Sequence, residues 1–120
     1  MSVSQMLAHC CVTYEMVYTD KHPRPNAFTR FMMKALIKNI VTSDKPYVKN
    51  GRTARQFLIV DEKDFVSEKK RLINFITQTQ ELGEKEFEGK ASHSFGKLTA
   101  KEWSTMFYKH LDHHLRQFGV

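Results

Sequence analysis

No stretch of this chain approaches the roughly 20 consecutive apolar residues that a helix needs to cross a bilayer, so a transmembrane span drops out of the readings. The start, Met1-Ser2-Val3-Ser4-Gln5, lacks the basic opening and apolar run of a secretion signal. A soluble, cytoplasmic protein is therefore the expectation. Cysteine is scarce, and the two present, Cys10 and Cys11, are adjacent. Neighbours in sequence are poorly placed to bridge each other, which excludes a disulfide framework and suits a reducing compartment. Glycine and proline are also few, five and three. That argues against many short strands, which would need more turns. Internal repeats and low-complexity tracts are absent, and no recognised nucleic-acid motif appears.

What is present suits one helical domain spanning 1–120. With 120 residues there is room for one core and not for two. Hydrophobic residues make up 41%, including nine Phe and six Met, so that core can be filled. Ser2 and Gln5 form a plausible capping box for a first helix over about Val3 to Thr19. At about 100° per residue, Val3, Met6, Leu7, Cys10, Tyr14 and Val17 share one face of it. His22-Pro23-Arg24-Pro25 ends that helix. A second helix is predicted over about Ala27 to Val41, where Phe31, Met32, Ala35, Leu36 and Ile40 supply apolar surface beside a basic stripe of Arg30, Lys34 and Lys38. Ser43 to Arg55 reads as a loop, with Lys45-Pro46 and Asn50-Gly51 as turn signals. Gln56 to Val60 is short and apolar. A third helix is expected from about Asp64 to Leu82, stopped by Gly83, with Phe65, Leu72, Ile73, Phe75 and Ile76 inward. After a loop from Glu84 to Lys97, Thr99 and Glu102 form a second capping box. The last helix then runs to Phe118.

That last helix carries the chemistry. His110 and His114 lie within about 40° of each other on the helical wheel, beside Trp103 and Phe107, while Lys101, Thr105, Lys109, Asp112 and Arg116 fall opposite. Imidazoles on a core face need partners, because an unpaired buried polar group costs several kcal/mol. Residues four apart on a helix are neighbours, and two imidazoles so placed can converge on one metal ion. A pair of hydrogen-bonded core histidines is the competing explanation. His9 is the candidate third ligand, at the border of the first helix's apolar face with Gln5, Thr13 and Met16 around it. Gln5 and Gln117 could orient water or a ligand imidazole. His113 lies near the seam edge, and His93, in the loop before the last helix, could sit at the mouth of the site. Trp103 is read as core. Cys10 points about 100° away from His9. Glu15 also points away, which leaves no evident general base.

Three segments resemble a known family: Gln5-Met6-Leu7-Ala8-His9-Cys10; Phe95-Gly96-Lys97-Leu98-Thr99-Ala100-Lys101-Glu102-Trp103; and His110-Leu111-Asp112-His113-His114-Leu115-Arg116-Gln117-Phe118-Gly119. They look like the corresponding segments of DUF1569 proteins, a group within the DinB/YfiT-like superfamily, and the resemblance spans nearly the whole chain. It implies a four-helix bundle with a long crossover, and a metal held by one His from the second helix of the family fold and a His-x-x-x-His pair from the last. Carried over by position, the ligands are His9, His110 and His114. Family members usually begin with a further helix ahead of the segment matching Met1 to Cys10. The bundle is therefore expected to have an open apolar groove, filled either by Ala27–Val41 or by a second copy of the chain.

Three neutral His ligands leave a position for water or substrate, the pattern of a catalytic rather than a structural zinc-type site. Zinc is the first expectation, and nickel and iron also suit imidazole. The resemblance implies the class of thiol-dependent transferases and isomerases, in which the metal activates a low-molecular-weight thiol; the site itself is read as that of a metal-dependent transferase or hydrolase acting on a small molecule. The rival is a non-catalytic dimeric module that uses the basic helix 27–41. Net charge is +6, but basic residues interleaved with exposed aromatics are missing, so nucleic acid is not the favoured partner.

Overall fold

The computed structural model describes residues 1–45, 47 and 57–120. Among these residues there are five helices: α1 (Val3–Tyr18), α2 (Ala27–Leu36), α3 (Lys38–Thr42), α4 (Phe65–Phe87) and α5 (Ala100–Gln117). Among the described residues there is no strand, only an isolated bridge between Ala91 and Lys97. The all-α expectation holds. The Asn50-Gly51 and Lys45-Pro46 turn signals, and most of the 43–55 loop, lie outside the described residues.

Both capping boxes form. The Ser2 and Thr99 hydroxyls accept from the amides of Gln5 and Glu102, whose side chains reach back to the cap amides. These bonds satisfy amides that the first helical turn leaves unpaired. α1 is the centre of the molecule. It packs on α4 and α5, and Met6, Leu7, Ala8, His9, Cys10, Cys11, Val12, Tyr14 and Glu15 are all buried. The Tyr14 ring stacks between Phe75 of α4, at 5.7 Å, and Phe107 of α5, at 5.0 Å. Trp103 and Phe87 close the far end of this aromatic column, and the Trp103 indole donates to the Lys90 carbonyl at 3.2 Å. Trp103 is thus core, as its place on the seam suggested.

Several boundaries differ from those expected. Gly83 does not stop α4. It takes a left-handed conformation, φ 75°, open to glycine at little cost. The helix then resumes for one turn and delivers Phe87 into the core, where it is 5% exposed. The inward face of α4 is also rotated from the expected one. Leu72 and Glu68 are buried and Phe75 packs on the core, whereas Phe65, Ile73 and Ile76 are exposed. On this inward side Arg71 donates to Glu68 within α4 and to Glu15 of α1.

The helix expected over Ala27–Val41 is broken at Ile37 (φ −111°, ψ −31°) into α2 and α3. α3 lies on α5. Of the other helices, α2 touches only α3, and it buries no residue. It therefore does not cover the core. Phe28, Phe31, Met32 and Leu36 face solvent, while Lys34 approaches Gly96 and Lys38 pairs with Glu102 at 3.5 Å. The basic stripe is turned in part towards the protein's own body. Lys109, expected on the solvent face of α5, is buried for the same reason: α3 covers it, and its ammonium donates to the Ile40 carbonyl near the end of α3. A cation there neutralises the negative end of a helix.

Candidate metal centre

His9 comes from the middle of α1, the most enclosed element. His110 and His114 sit one turn apart on α5, on the side facing α1. One ring nitrogen from each of the three lies within 4.8 Å of the others. The His9 Nε2 is 2.8 Å from the His114 Nε2 and 3.2 Å from the His110 Nε2. Four ligands at 2.0–2.1 Å in a tetrahedron stand about 3.3–3.4 Å apart, so both His9 contacts lie slightly inside the spacing of ligands on one ion.

The other nitrogen of each ring is already engaged. The His9 Nδ1 donates to the Phe57 carbonyl at 2.8 Å. The His110 Nδ1 meets the Thr13 hydroxyl at 3.2 Å, and the His114 Nδ1 meets the Gln117 Oε1 at 2.9 Å. Outer partners of this type fix which nitrogen of a ligand histidine keeps its proton. The Phe57 ring packs against His9 and His110, at 5.2 and 5.8 Å between centroids, and helps to keep water from them.

Charge and proton count point the same way. Burial holds all three histidines below the usual imidazole range. His110 is furthest below, with His9, His114 and His113 adding to the effect. At His9 burial outweighs the opposing Phe57 bond, and at His114 it outweighs the Gln117 bond and brings the ring to about 4. All three are neutral at pH 7, the form that binds metal. Since the Phe57 carbonyl can only accept, the His9 Nδ1 must carry the proton. Its Nε2 is then a lone pair that faces two other Nε2 atoms and can accept from only one. A cation at their centre engages all three lone pairs. The residues present therefore fit a divalent ion.

The remaining sequence candidates divide. Gln117 is at the site. His113 borders it, with its ring 5.0 Å from that of His114 and its Nε2 3.3 Å from the Gln117 amide nitrogen. Gln5 is committed elsewhere: its oxygen serves the capping box and its nitrogen donates to the Asp61 carbonyl at 3.1 Å. His93 bonds to the Ser94 hydroxyl and to the His22 carbonyl, at 3.0 and 3.1 Å. It lines a depression of about 310 Å³ at the C-terminal end of α1 with Met16, His22 and Arg24. That depression shares no lining residue with the trio.

Sequence reasoning did not find the Phe57 carbonyl, since a backbone oxygen leaves no mark in a side-chain pattern. Thr13 could have been found, being one turn from His9 on the same face. Glu15, read as pointing away from His9, does so. It is 5% exposed and accepts from Arg71 at 2.7 Å, Lys21 at 3.1 Å and His22 at 3.2 Å, tying the end of α1 to α4. Burial raises its pKa, but these donors together bring the net shift below the usual carboxylate range. Cys10 and Cys11 are fully buried, and burial pushes their thiols up to about 12 and about 11. Neither is a thiolate nucleophile at neutral pH.

No curated protein and no solved structure matches this chain. A family model does match, described as a protein of unknown function (DUF1569), over residues 1–119. That match takes in both ends of the histidine trio, and the chain belongs to the DUF1569 family.

Proposed function

We propose that this chain binds one divalent metal ion through the Nε2 atoms of His9, His110 and His114, and that it is a metal-dependent transferase or hydrolase of the DinB-like kind. The observation that carries the reading is the convergence of three neutral imidazole nitrogens whose opposite nitrogens are each held by a partner. Zinc is the first choice of ion, with nickel and iron as alternatives. When bound, such an ion supplies Lewis acidity that acidifies a water or thiol and polarises a substrate oxygen.

The chain's own residues do the rest. The Phe57 carbonyl, Thr13 and Gln117 orient the three rings, and the Phe57 ring shields two of them. The cysteines are inert, so a thiol taking part in the reaction must come from outside as a small molecule. Calorimetric titration of chelator-stripped, tag-free protein with zinc tests the binding. A single site is expected for the parent and its loss in His110→Ala. A screen of the loaded protein against thiol-conjugation substrates tests the activity, and turnover that persists in His110→Ala would count against it.

The outward arc of α2 favours a second reading, self-association. Phe28, Phe31, Met32 and Leu36 are 73%, 67%, 38% and 61% exposed and share one side of the helix. A large aromatic offers roughly 150–250 Å² when fully exposed, which puts the arc on the order of 400–500 Å². Two copies set arc to arc would bury about 1,000 Å², the lower bound for a specific interface. Lys34 and Lys38 turn away from the arc, so like charges need not meet. Sedimentation should show a weak, concentration-dependent dimer that Phe31→Glu abolishes. A monomer at every concentration would overturn this reading.

A further inference from the structure

The side of α1 that carries His9 continues past the trio. His9, Thr13 and Met16 recur at helical spacing, so they stand one above another along the helix. Thr13 still touches the trio, through the His110 Nδ1 at 3.2 Å. Met16 belongs instead to the depression of about 310 Å³ at the end of α1. A rise of about 1.5 Å per residue puts Met16 about 10 Å along the axis from His9.

The rim of this depression is tied together. The His93 Nε2–H donates to the His22 carbonyl at 3.1 Å, and the Ser94 hydroxyl meets the His93 Nδ1 at 3.0 Å. These bonds join the loop before α5 to the turn after α1. His22 and Lys21 are spent on the Glu15 carboxylate, at 3.2 and 3.1 Å. Two charged side chains on the lining are left, Asp20 and Arg24. Both are exposed, and among the described residues neither makes an ion pair or a side-chain hydrogen bond, with the other or with a third group. A carboxylate and a guanidinium that face one hollow without pairing can each take the opposite charge from a ligand. Ligand pockets run from about 300 to 1,000 Å³. This one lies at the small end, which suits a group of amino-acid size and excludes a nucleotide.

We propose that the depression is an anchoring subsite for the metal centre, and that it takes a small zwitterion of the α-amino-acid class, with its ammonium on Asp20 and its carboxylate on Arg24. The inference rests on the metal reading for its purpose: the far end of the anchored molecule, about 10 Å away, is the part that meets the ion. Met16 and Thr13 lie between the two positions on α1. The substrate class is then an elongated molecule with a free amino-acid end.

The experiment is a titration of the chelator-stripped, ¹⁵N-labelled full chain with glycine, the smallest such zwitterion. Amides in the 19–24 and 92–94 segments should shift and saturate in the millimolar range. Glycinamide lacks the carboxylate and N-acetylglycine lacks the ammonium, and each should bind about 5–10-fold more weakly. Asp20→Asn and Arg24→Gln should each weaken glycine by about 5–10-fold. Their melting temperatures should match the parent's, since both side chains are exposed. Cobalt(II) loaded in place of zinc should speed the relaxation of the bound glycine methylene protons, to the degree set by a separation on the order of 10 Å. Absence of saturable shifts, equal binding of N-acetylglycine, or parental glycine affinity in Arg24→Gln overturns the inference and leaves the metal reading standing. Glycine that binds without any cobalt-dependent relaxation overturns the anchoring role. A chain that binds glycine but takes up no cobalt overturns the metal reading and the anchoring role together.

Discussion

If three histidines hold an ion only in the folded chain, zinc must raise the melting temperature by an amount that ligand number and chain length set. Unfolding entropy near the midpoint is about 2.1 cal/mol/K per residue, which for 120 residues is about 0.25 kcal/mol/K. Free zinc at 100 times its dissociation constant adds about 2.7 kcal/mol of stability. The melting temperature of chelator-stripped protein should then rise by about 11 °C, and each further tenfold of zinc should add about 5–6 °C. His110→Ala leaves two ligands and should remove the rise in the same zinc range. His93→Ala should keep it in full, since His93 bonds to Ser94 and the His22 carbonyl and not to the trio. The assay is circular dichroism at 222 nm against temperature over a series of buffered zinc concentrations. An unchanged parent midpoint, or equal rises in the parent and His110→Ala, would refute the reasoning.

Other outcomes follow from the same physical picture. Glu15→Gln should cost about 1–3 kcal/mol, because a buried acceptor of three donors is replaced by a neutral group; Lys21 and Arg71 are 65% and 39% exposed, which keeps the loss below that of a dry ion pair. Thermal melts should show a drop of about 4–12 °C, and a drop below about 1 °C would contradict the role given to Glu15. For the metal-free protein, His114 titrates at about 4 when folded against 6.5 when exposed. Between those values the unfolded chain binds the proton and the folded chain does not. Stability is therefore full above pH 6.5 and falls as pH drops towards 4, by up to about 1.4 kcal/mol per pH unit for each such histidine. Denaturant melts across this range check the sign, and stability rising on acidification would be wrong for this site. Finally, Cys10 and Cys11 should resist iodoacetamide at pH 7.5 in the native state and react on unfolding. Rapid labelling of the folded protein would contradict their burial.

The sequence was most legible where a single rule governed. Ser2 with Gln5 and Thr99 with Glu102 announced two helix starts, because a capping box needs only local geometry. His110, His114, Trp103 and Phe107 announced one seam, because a helix of fixed pitch has one inner side, and the structure buries Trp103, Phe107 and His114 there. Legibility failed where a second element decided the outcome. Lys109 looked like a surface lysine until α3 was laid over it. Ile73 looked like core, but α4 packs on α1 through Leu72 and Phe75, with Arg71 bound to Glu15, and Ile73 faces out. Ile37 carries no breaker signal, yet α2 and α3 separate there. At the site, His110, His114 and Gln117 could be read from helical spacing, while the resemblance singled out His9. The Phe57 carbonyl could not, since a backbone oxygen leaves no mark in a side-chain pattern.

X-ray absorption at the zinc edge of the loaded, tag-free protein tests the central claim most directly. Three imidazoles on one ion predict nitrogen or oxygen neighbours at about 2.0–2.1 Å, with the outer-shell scattering of three histidine rings. A sulfur shell near 2.3 Å, or a spectrum of oxygen neighbours with no imidazole scattering, would contradict it.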